Sequence, residues 1–344
     1  MPKEHQLHVG VQNNLQPITV KIPDNDPKPW DGQDSLKYIG KEIPRIDGKA
    51  KVTGTAKYTF DIQLPKMLYA KFLRSSKPAA KIHKIDTSQA EKMPGVKAIL
   101  RVNEKLPFTV RYQGQEILAV AAETLQQAKD ALKIIEIEYE ELPFVVDLEE
   151  AMKSTAPSVF FESEQQKEKL TEGDVGTGSE KNLGRSGNMR NPSLMSSEGG
   201  LSEVEQQLSQ SAEVVSATFR TQVQTHSSME PHGAVAQWED EEHLTVWAST
   251  QSTFSVRGEL AIVFNLPQTN IRVLTEHMGG GFGSKFGAGA YGVMAARLAR
   301  QTKVPVHLVL DRKEEHLAGG NRPDSLQQVR IGATKEGLLT AIYT

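Results

Sequence analysis

The feature that most constrains the fold is a glycine-rich run, Met278-Gly-Gly-Gly-Phe-Gly-Ser-Lys285, which lies between a strand pattern and a helix pattern. The strand pattern ends at Glu276, and apolar residues then recur from Tyr291 to Leu298 at the spacing of one helix face. Successive glycines let the main chain approach a ligand and present N–H groups to it, and a helix N-terminus adds partial positive charge. The sequence therefore predicts a loop that binds an anion or an oxo group.

Two familiar nucleotide-binding loops fit this run poorly. A Walker A loop needs glycine directly before its lysine, where Ser284 stands, and a dinucleotide fingerprint that begins at Gly281 needs glycine where Phe286 stands. A tight turn between strand and helix is the structural alternative. Phe282 favours a ligand site over a plain turn, because an aromatic ring has no obvious use in a turn but can line a flat cofactor or substrate.

A second informative segment precedes the loop, Gln224-Thr-His-Ser-Ser-Met-Glu-Pro-His232. Three of its side chains are of metal-ligand type: His226, Glu230 and His232. Their spacing is not an established zinc pattern, and Pro231 argues against one continuous helix that carries them, so structural hydrogen bonding is the other interpretation. Gln224 suits a different role, because an amide N–H donates to a metal-bound oxo group without competing for the metal.

Composition removes several classes of function. The formal net charge of -3 and the pI near 6.3 leave no excess of basic side chains for nucleic acid. Without cysteine, the chain has no disulfides, thiolate zinc sites or iron–sulfur ligands of its own. No apolar stretch approaches the roughly 20 residues that span a bilayer, and the N-terminus lacks a signal-peptide pattern. We therefore expect no membrane association and a cytoplasmic location, unless a partner subunit carries an export signal.

Patterning along the chain predicts four parts with different character. These are an extended N-terminal arm (1–37), an α+β domain of interleaved strands and short helices (38–148), a flexible linker rich in polar residues and glycine (149–205) and a second domain (206–344). Within the first domain, Ser88 is predicted to cap a short helix that Pro94 and Gly95 end. A second capped helix is predicted to begin at Thr124.

The two motifs together resemble the cofactor-facing pattern of the molybdenum hydroxylases, the xanthine dehydrogenase and aldehyde oxidase family. Residues 40–58 also resemble the opening of that family's α/β-hammerhead domain, and residues 310–323 resemble the stretch after its glycine loop. The resemblance covers nearly all of residues 38–344 outside the linker. It implies an α+β fold: an α/β-hammerhead domain, followed by the first part of a mixed α+β molybdopterin-binding domain.

The resemblance also implies a molybdenum cofactor of the molybdopterin type, and likeness to bacterial aldehyde-oxidising members suggests the cytosine dinucleotide form. The pterin supplies the sulfur, so no side chain is expected to bind the metal directly. Gln224 is expected to donate to the apical oxo ligand, and Phe282 to line the substrate funnel. Four residues are expected to face the molybdenum ligands through their backbone: Gly280, Gly281, Phe282 and Gly283.

The implied reaction is hydroxylation with oxygen from water, with electrons leaving through iron–sulfur clusters and FAD on partner subunits. Purine-oxidising members carry glutamate directly after the loop lysine, where this chain has Phe286. An apolar side chain lining the substrate site there favours aldehydes or aromatic heterocycles. Family large subunits continue well past the position of Thr344 and hold the general-base glutamate there. We therefore expect a fragment or one part of a split subunit, inactive without a C-terminal companion.

Two other hypotheses stay open at this stage. One is a truncated, non-catalytic remnant that folds and binds partner subunits without molybdenum, which the end at Thr344 favours. The other is an unrelated phosphate-binding enzyme that uses the glycine loop. Three charged residues beyond the loop are expected to be structural rather than catalytic: Asp311, Arg312 and Arg322.

Overall fold

The computed structural model describes residues 3–11, 14–22, 36–159, 185–186, 188–190 and 200–344, which fall into two compact units, Met1–Thr55 and Ala56–Thr344. In the first unit, strands β1 (Lys3–Val11) and β2 (Asn14–Ile22) pair as an antiparallel hairpin, and helix α1 (Gly48–Val52) follows. The hairpin was not predicted. Apolar residues do alternate in each strand, at Leu7, Val9 and Val11 and at Ile18, Val20 and Ile22, but the prolines and polar residues around these short stretches favoured an extended arm.

The second unit is a mixed α+β structure. Its strands are β3 (Leu68–Arg74), β4 (Ala80–Asp86), β5 (Val96–Arg101), β6 (Phe108–Val110), β7 (Glu116–Ala122), β8 (Glu136–Glu141), β9 (Arg185–Ser186), β10 (Met189–Arg190), β11 (Glu213–Thr221), β12 (Gln224–Thr225), β13 (Gly233–Trp238), β14 (Leu244–Ala248), β15 (Ile271–Leu274), β16 (Val306–Val309), β17 (Asn321–Arg322), β18 (Ser325–Ala333) and β19 (Leu339–Tyr343). Its helices are α2 (Leu125–Lys133), α3 (Leu148–Ala151), α4 (Gly200–Gln210), α5 (Thr253–Phe264), α6 (Gly289–Thr302) and α7 (Arg312–Ala318). In the described part, no helix combines the length and apolarity needed to cross a bilayer.

A seven-stranded sheet forms the centre of this unit, in the order β15-β14-β13-β16-β3-β7-β5. Strand β16 lies parallel to β3, with Val306 opposite Leu68 and Leu308 opposite Ala70. Helices α5 and α6 contribute to the apolar core beside the sheet, and α6 is the helix predicted after the glycine run. The sheet thus joins strands from both predicted domains, 38–148 and 206–344. The boundaries of those domains remain predictions.

A smaller antiparallel sheet, in the order β6-β4-β8, forms a second core with α2. The predicted cap of α2 is confirmed: the Thr124 hydroxyl accepts from the Gln127 N–H at 3.2 Å. The helix predicted at Ser88 is wrong, because the structure has only a 3-10 turn there, Ala90–Lys92. The Ser88 N–H donates to the Asp86 carboxylate at 3.0 Å instead. So short a segment before Pro94 cannot offset the cost of nucleating an α-helix.

A third, antiparallel sheet has the order β11-β18-β19 and packs against α4. Helix α4 begins inside the predicted linker 149–205, most of which, 160–184, 187 and 191–199, lies outside the described residues. Helix α5 was also not predicted. It is apolar around much of its circumference, because Val256 and Leu260 are buried while Phe254 and Ile262 are exposed, so the one-faced period that marks an amphipathic helix is weak.

Candidate functional site

The glycine loop, defined as residues 279–285, connects β15 to α6 with an unusual backbone. Gly280, Phe282 and Gly283 have φ values of 101°, 53° and 96°. The left-handed region is unfavourable for a residue with a side chain, so Phe282 carries strain of roughly 1–2 kcal/mol. Within the described residues, the N–H groups of Gly280, Gly281 and Phe282 have no hydrogen-bond acceptor. Three successive amides are therefore free to donate to a ligand.

Close packing explains two glycines of this loop. A Cβ atom on Gly279 would lie 2.5 Å from Cβ of Glu230, and one on Gly281 would lie 2.4 Å from the Gln251 side-chain oxygen. The contact at Gly279 is sterically impossible, and the contact at Gly281 would force the Gln251 side chain to move away from the loop. Beside Gly283, by contrast, a Cβ atom would meet no atom within 4 Å. The loop is therefore closely packed against other residues at Gly279, whereas the space beside Gly283 is open.

Glu230 fixes the start of the loop. Its carboxylate accepts from the Gly279 N–H at 2.7 Å, from the Ser249 hydroxyl at 2.9 Å and from the Thr59 N–H at 3.0 Å. The backbone N–H of Glu230 donates to the Gly279 carbonyl at 3.1 Å. With its carboxylate engaged in this way, Glu230 has a structural role.

Lys285 fixes the end of the loop. Its side chain is fully buried, and Nζ donates to the Glu230 carbonyl at 2.6 Å and to the Ser249 hydroxyl at 2.7 Å. Burial lowers the pKa of Lys285 below its ordinary value, although the carboxylates of Glu230 and Glu315 act against that effect. Because the ammonium points into the protein, it is not presented to a phosphate group, which weakens the hypothesis of an unrelated phosphate-binding loop.

Gln251 is a site residue that sequence reasoning missed. Its side-chain oxygen accepts from the Gly283 N–H at 2.9 Å and from the Lys285 N–H at 3.4 Å. Two donors on one atom identify that atom as the oxygen, so the side-chain nitrogen is left as a donor, and it has no acceptor in the described part of the chain. The only sequence signal was a polar run, Ser249-Thr-Gln-Ser252, between a strand and a helix.

Gln224, the amide that the sequence suggested, lies on the short strand β12 and is paired with Arg322 of β17. Gln224 is exposed, and its side chain has no hydrogen-bond partner among the described residues. The structure therefore shows where Gln224 is without testing its expected role. That role remains a prediction, beside Gln251 as a second amide.

A side chain of the protein occupies the N-terminus of α6. The Glu259 carboxylate, on α5, accepts from the Ala288 N–H at 2.6 Å, and a Cβ atom on Gly287 would lie 2.5 Å from the same carboxylate. The sequence interpretation gave this helix terminus a share in anion binding. A buried carboxylate already interacts with the helix dipole there, which disfavours a second anion at this terminus.

His232 and Glu315 form a buried pair beneath the loop. The His232 Nδ1 atom lies 2.9 Å from the carboxylate, and Nε2 lies 3.2 Å from the Ser284 carbonyl. Both ring nitrogens of His232 therefore lie within hydrogen-bond distance of an oxygen atom. The structural interpretation of His232 and Glu230 is thus supported, and the described residues contain no cluster suited to a metal ion. The buried Nδ1 of His226 has no hydrogen-bond partner in that part of the chain.

The charged residues after the loop hold neighbouring segments in place. The Asp311 carboxylate accepts from the Glu314 N–H at 2.9 Å and caps α7, and it pairs with Lys71 at 3.3 Å. Arg312 donates to the carbonyls of Ser228 and Met229 at 2.7 and 3.0 Å. These contacts support the structural roles expected of Asp311 and Arg312.

Exposed apolar side chains lie on and beside the loop. Phe282 is 67% exposed, Phe286 is 51% exposed and Met229, next to Glu230, is 89% exposed. The Phe282 ring also lies 3.0 Å from where a Cβ atom on Gly280 would be, so it lies beside the start of the run of free amides. The loop therefore offers hydrogen-bond donors next to a flat apolar surface.

Two family models match the chain. A molybdopterin cofactor-binding domain matches residues 188–344, and an aldehyde oxidase and xanthine dehydrogenase a/b hammerhead domain matches residues 53–107. The free amides, the strained Phe282 backbone and the open space beside Gly283 fit such a cofactor, which binds through hydrogen bonds to its oxygen atoms rather than through a protein ligand to the metal.

Known proteins agree with these matches. The large molybdopterin subunit of nicotinate dehydrogenase from Eubacterium barkeri is 32% identical over 322 residues, which cover 89% of this chain and 69% of that protein. The molybdenum-binding subunit PaoC of an Escherichia coli (strain K12) aldehyde oxidoreductase is 29% identical, over 90% of this chain and 40% of its own length. A structure of CO dehydrogenase from Oligotropha carboxidovorans superposes with a TM-score of 0.71 and 27% identity, over 88% of this chain and 39% of that one.

The fold therefore has the two parts that the sequence suggested, a hammerhead domain and part of a molybdopterin-binding domain. The chain spans less than half the length of two of these three proteins and 69% of the third. It belongs to the xanthine dehydrogenase and aldehyde oxidase family of molybdenum hydroxylases, in which it matches part of the molybdopterin-binding large subunit.

Proposed function

We propose that the chain is the cofactor-binding part of an oxidoreductase that hydroxylates aldehydes or aromatic heterocycles with oxygen from water. The observation that carries this proposal is the run of three free amides at Gly280, Gly281 and Phe282, in a loop whose two ends are fixed by buried hydrogen bonds. Preorganised N–H groups of this kind stabilise negative charge on a bound oxygen without further reorganisation.

When bound, the molybdenum cofactor supplies two-electron oxidation of a carbon atom, with water as the source of oxygen. The residues of this chain bind and orient it. The loop amides donate to its oxygen atoms, and the Phe282 ring, exposed beside those amides, forms one wall of the space that a substrate enters. No residue of the chain is assigned the role of general base.

A side-chain amide completes this set of donors. The family resemblance assigns the role to Gln224, whereas the geometry offers Gln251, whose oxygen is bound to the loop and whose nitrogen is free. An amide held at one end loses little conformational entropy when it donates at the other. Both residues are therefore candidate donors, and Gln251 is favoured by its contact with the loop.

The substrate proposal rests on the side chains next to the loop. Phe286 directly follows the loop lysine and is half exposed, so a substrate there meets an apolar surface rather than a charged group. Apolar walls favour flat heterocycles and aldehydes with an apolar body, because a hydrophobic pocket contributes little to the binding of a strongly polar purine. Two of the relatives are named for nicotinate and aldehyde substrates, and others are named for xanthine and carbon monoxide.

The partners are also proposals. We infer an iron–sulfur subunit and an FAD subunit, together with the cytosine dinucleotide form of the cofactor. Support for a contact with another polypeptide comes from an apolar sheet face formed by Val215, Phe219 and Ile342, which are 68%, 56% and 53% exposed.

The first test is the molybdenum content of protein purified from its own cells together with its partners. We expect close to one molybdenum atom per chain, with the pterin nucleotide identified by mass spectrometry after extraction. Protein from molybdate-replete cells that contains neither metal nor pterin would contradict the proposal and favour a folded, non-catalytic remnant.

Two glutamine variants of the same complex then identify the donor. Gln251→Glu replaces a donor by a carboxylate and should shift the Mo(V) electron paramagnetic resonance spectrum after partial reduction with dithionite. Gln224→Glu is the matched comparison, with the same chemical change on β12. A shift caused by Gln224→Glu alone would return the role to Gln224.

A further inference from the structure

Both ends of the glycine loop are tied to one buried group of side chains, which we call the anchor cluster: Glu230, Ser249 and Lys285. The start of the loop is bound through the Gly279 N–H and the Glu230 carboxylate, at 2.7 Å. The end is bound through the Lys285 ammonium and the Glu230 carbonyl, at 2.6 Å. The separation of the loop ends therefore depends on this cluster, and the free amides lie between those ends.

The hydroxyl of Ser249 connects the two charges of the cluster. It lies 2.7 Å from the Lys285 Nζ atom and 2.9 Å from the Glu230 carboxylate, and the residue is 1% exposed. An ammonium group only donates and a carboxylate only accepts, so the direction of both hydrogen bonds is fixed. Within the described residues, Lys285 makes no direct ion pair with a carboxylate, and Ser249 provides the hydrogen-bonded link.

The backbone around Ser249 strengthens this link. The Gln251 N–H and the Thr250 hydroxyl donate to the Lys285 carbonyl at 2.7 and 2.9 Å. The segment that carries the hydroxyl thus also holds the main chain at the end of the loop. Such a preorganised support keeps hydrogen-bond donors aligned before a ligand arrives.

We infer that Ser249 is a positioning residue of the site: through Lys285 and Glu230, its hydroxyl holds the ends of the glycine loop at the separation that aims the free amides of Gly280, Gly281 and Phe282 at the cofactor. Ser249 itself makes no contact with the cofactor in this arrangement. The inference rests on the proposed function, because the cofactor is the ligand toward which these amides are aimed.

The test compares Ser249→Ala with Ser252→Ala in the purified complex. Ser252 caps α5 by accepting from the Ser255 N–H at 3.3 Å, so its loss also removes a serine hydroxyl nearby but leaves the anchor cluster intact. Hydrogen exchange is followed in peptides that cover residues 278–286. In Ser249→Ala, the Gly279 and Gly283 amides should exchange on the order of tenfold faster, the size expected for one lost buried hydrogen bond. In Ser252→Ala they should exchange at the wild-type rate.

A spectroscopic measurement separates positioning from simple loss of stability. The Mo(V) spectrum of Ser249→Ala should shift or broaden after partial reduction with dithionite, while that of Ser252→Ala should match the wild type. If Ser249→Ala lowers only the melting temperature and leaves both loop exchange and the spectrum unchanged, Ser249 is a structural residue and the inference is wrong.

A second variant tests the same inference in case Ser249→Ala does not fold. Glu230→Gln keeps the shape of the side chain but removes its charge, and it should accelerate exchange in the same loop peptide. If the wild-type complex contains no molybdenum, the proposed function fails, whereas the exchange measurement still decides whether the anchor cluster positions the loop.

Discussion

Glu315 is a buried residue that contacts the glycine loop indirectly, through His232. Its carboxylate accepts from the His232 N–H at 2.8 Å and from the His232 ring at 2.9 Å, and the other ring nitrogen reaches the Ser284 carbonyl in the glycine loop. The side chain of Glu315 is only 1% exposed. Removing one partner from so well buried a pair leaves the other unsatisfied, and for charged groups this is strongly destabilising.

The pH dependence of this pair follows from the pKa of Glu315. Burial alone raises that pKa, but the hydrogen bonds from His232 outweigh burial and hold it below the ordinary value of 4.5. A carboxyl group with a lowered folded-state pKa contributes its full stability above the ordinary value, and that stability is lost as pH falls through the folded-state pKa.

We therefore predict that Glu315→Gln lowers the free energy of unfolding by about 3 kcal/mol at neutral pH. The difference from the wild type should hold down to about pH 4.5 and shrink below it, which urea unfolding at a series of pH values measures. Glu336→Gln, at an exposed turn residue, is the control and should change little. A difference that grows toward acid would show that this account of Glu315 has the wrong sign.

At the scale of elements, the third sheet is covered on one face and exposed on the other. Helix α4 lies on the face that carries Arg330, since Arg330 pairs with Glu205 of that helix at 2.8 Å. The opposite face is apolar: Val215 lies across from Ile331, and Ile331 lies across from Ile342. Contiguous apolar surface of this kind marks an interaction site or an aggregation risk.

We predict that the purified chain by itself self-associates through this face and binds a hydrophobic dye. Val215→Lys should reduce both effects, because a charge at the centre of an apolar contact is costly to desolvate. Thr218→Lys adds the same charge to the same strand on the other face, and it should have little influence. Light scattering and dye fluorescence measure the two effects. Equal behaviour of the two variants would mean that this face is not the contact surface.

At the scale of the whole molecule, the seven-stranded sheet makes the hammerhead strands and the cofactor-domain strands depend on each other. Leu308 of β16 lies opposite Ala70 of β3, and both are buried in the main core. A Leu→Ala change at such a site removes buried apolar area and leaves a cavity. The loss of stability should therefore affect the strands of both predicted domains, 38–148 and 206–344.

Leu308→Ala is predicted to destabilise the second unit by about 2–5 kcal/mol. Hydrogen exchange should accelerate in β7, on the hammerhead side, together with β13 on the cofactor side, because the strands share one sheet. Leu208→Ala, in α4 on the third sheet, is a matched control that should leave β7 protected. If β7 stays protected in Leu308→Ala as well, the two regions unfold independently.

The sequence predicted elements well where one local signal was strong. Alternating or clustered apolar residues identified β3, β5, β7 and β16, and a polar cap identified α2. It failed at α5, where apolar residues surround much of the helix, and at Ser88, where too few residues precede a proline. Periodicity reports which side of an element is buried, so it says little about an element with no single polar side.

By itself, the sequence determined the family, the two-part α+β fold and the presence of a glycine-rich loop between a strand and a helix, because glycine spacing and apolar periodicity are local properties of a chain. Only the tertiary structure decided that Lys285 points inward, that Glu259 closes the N-terminus of α6 and that Gln251 meets the loop. It also decided that one sheet joins both predicted domains. Each of these contacts joins residues far apart along the chain, so its geometry depends on how whole elements pack and not on any local pattern.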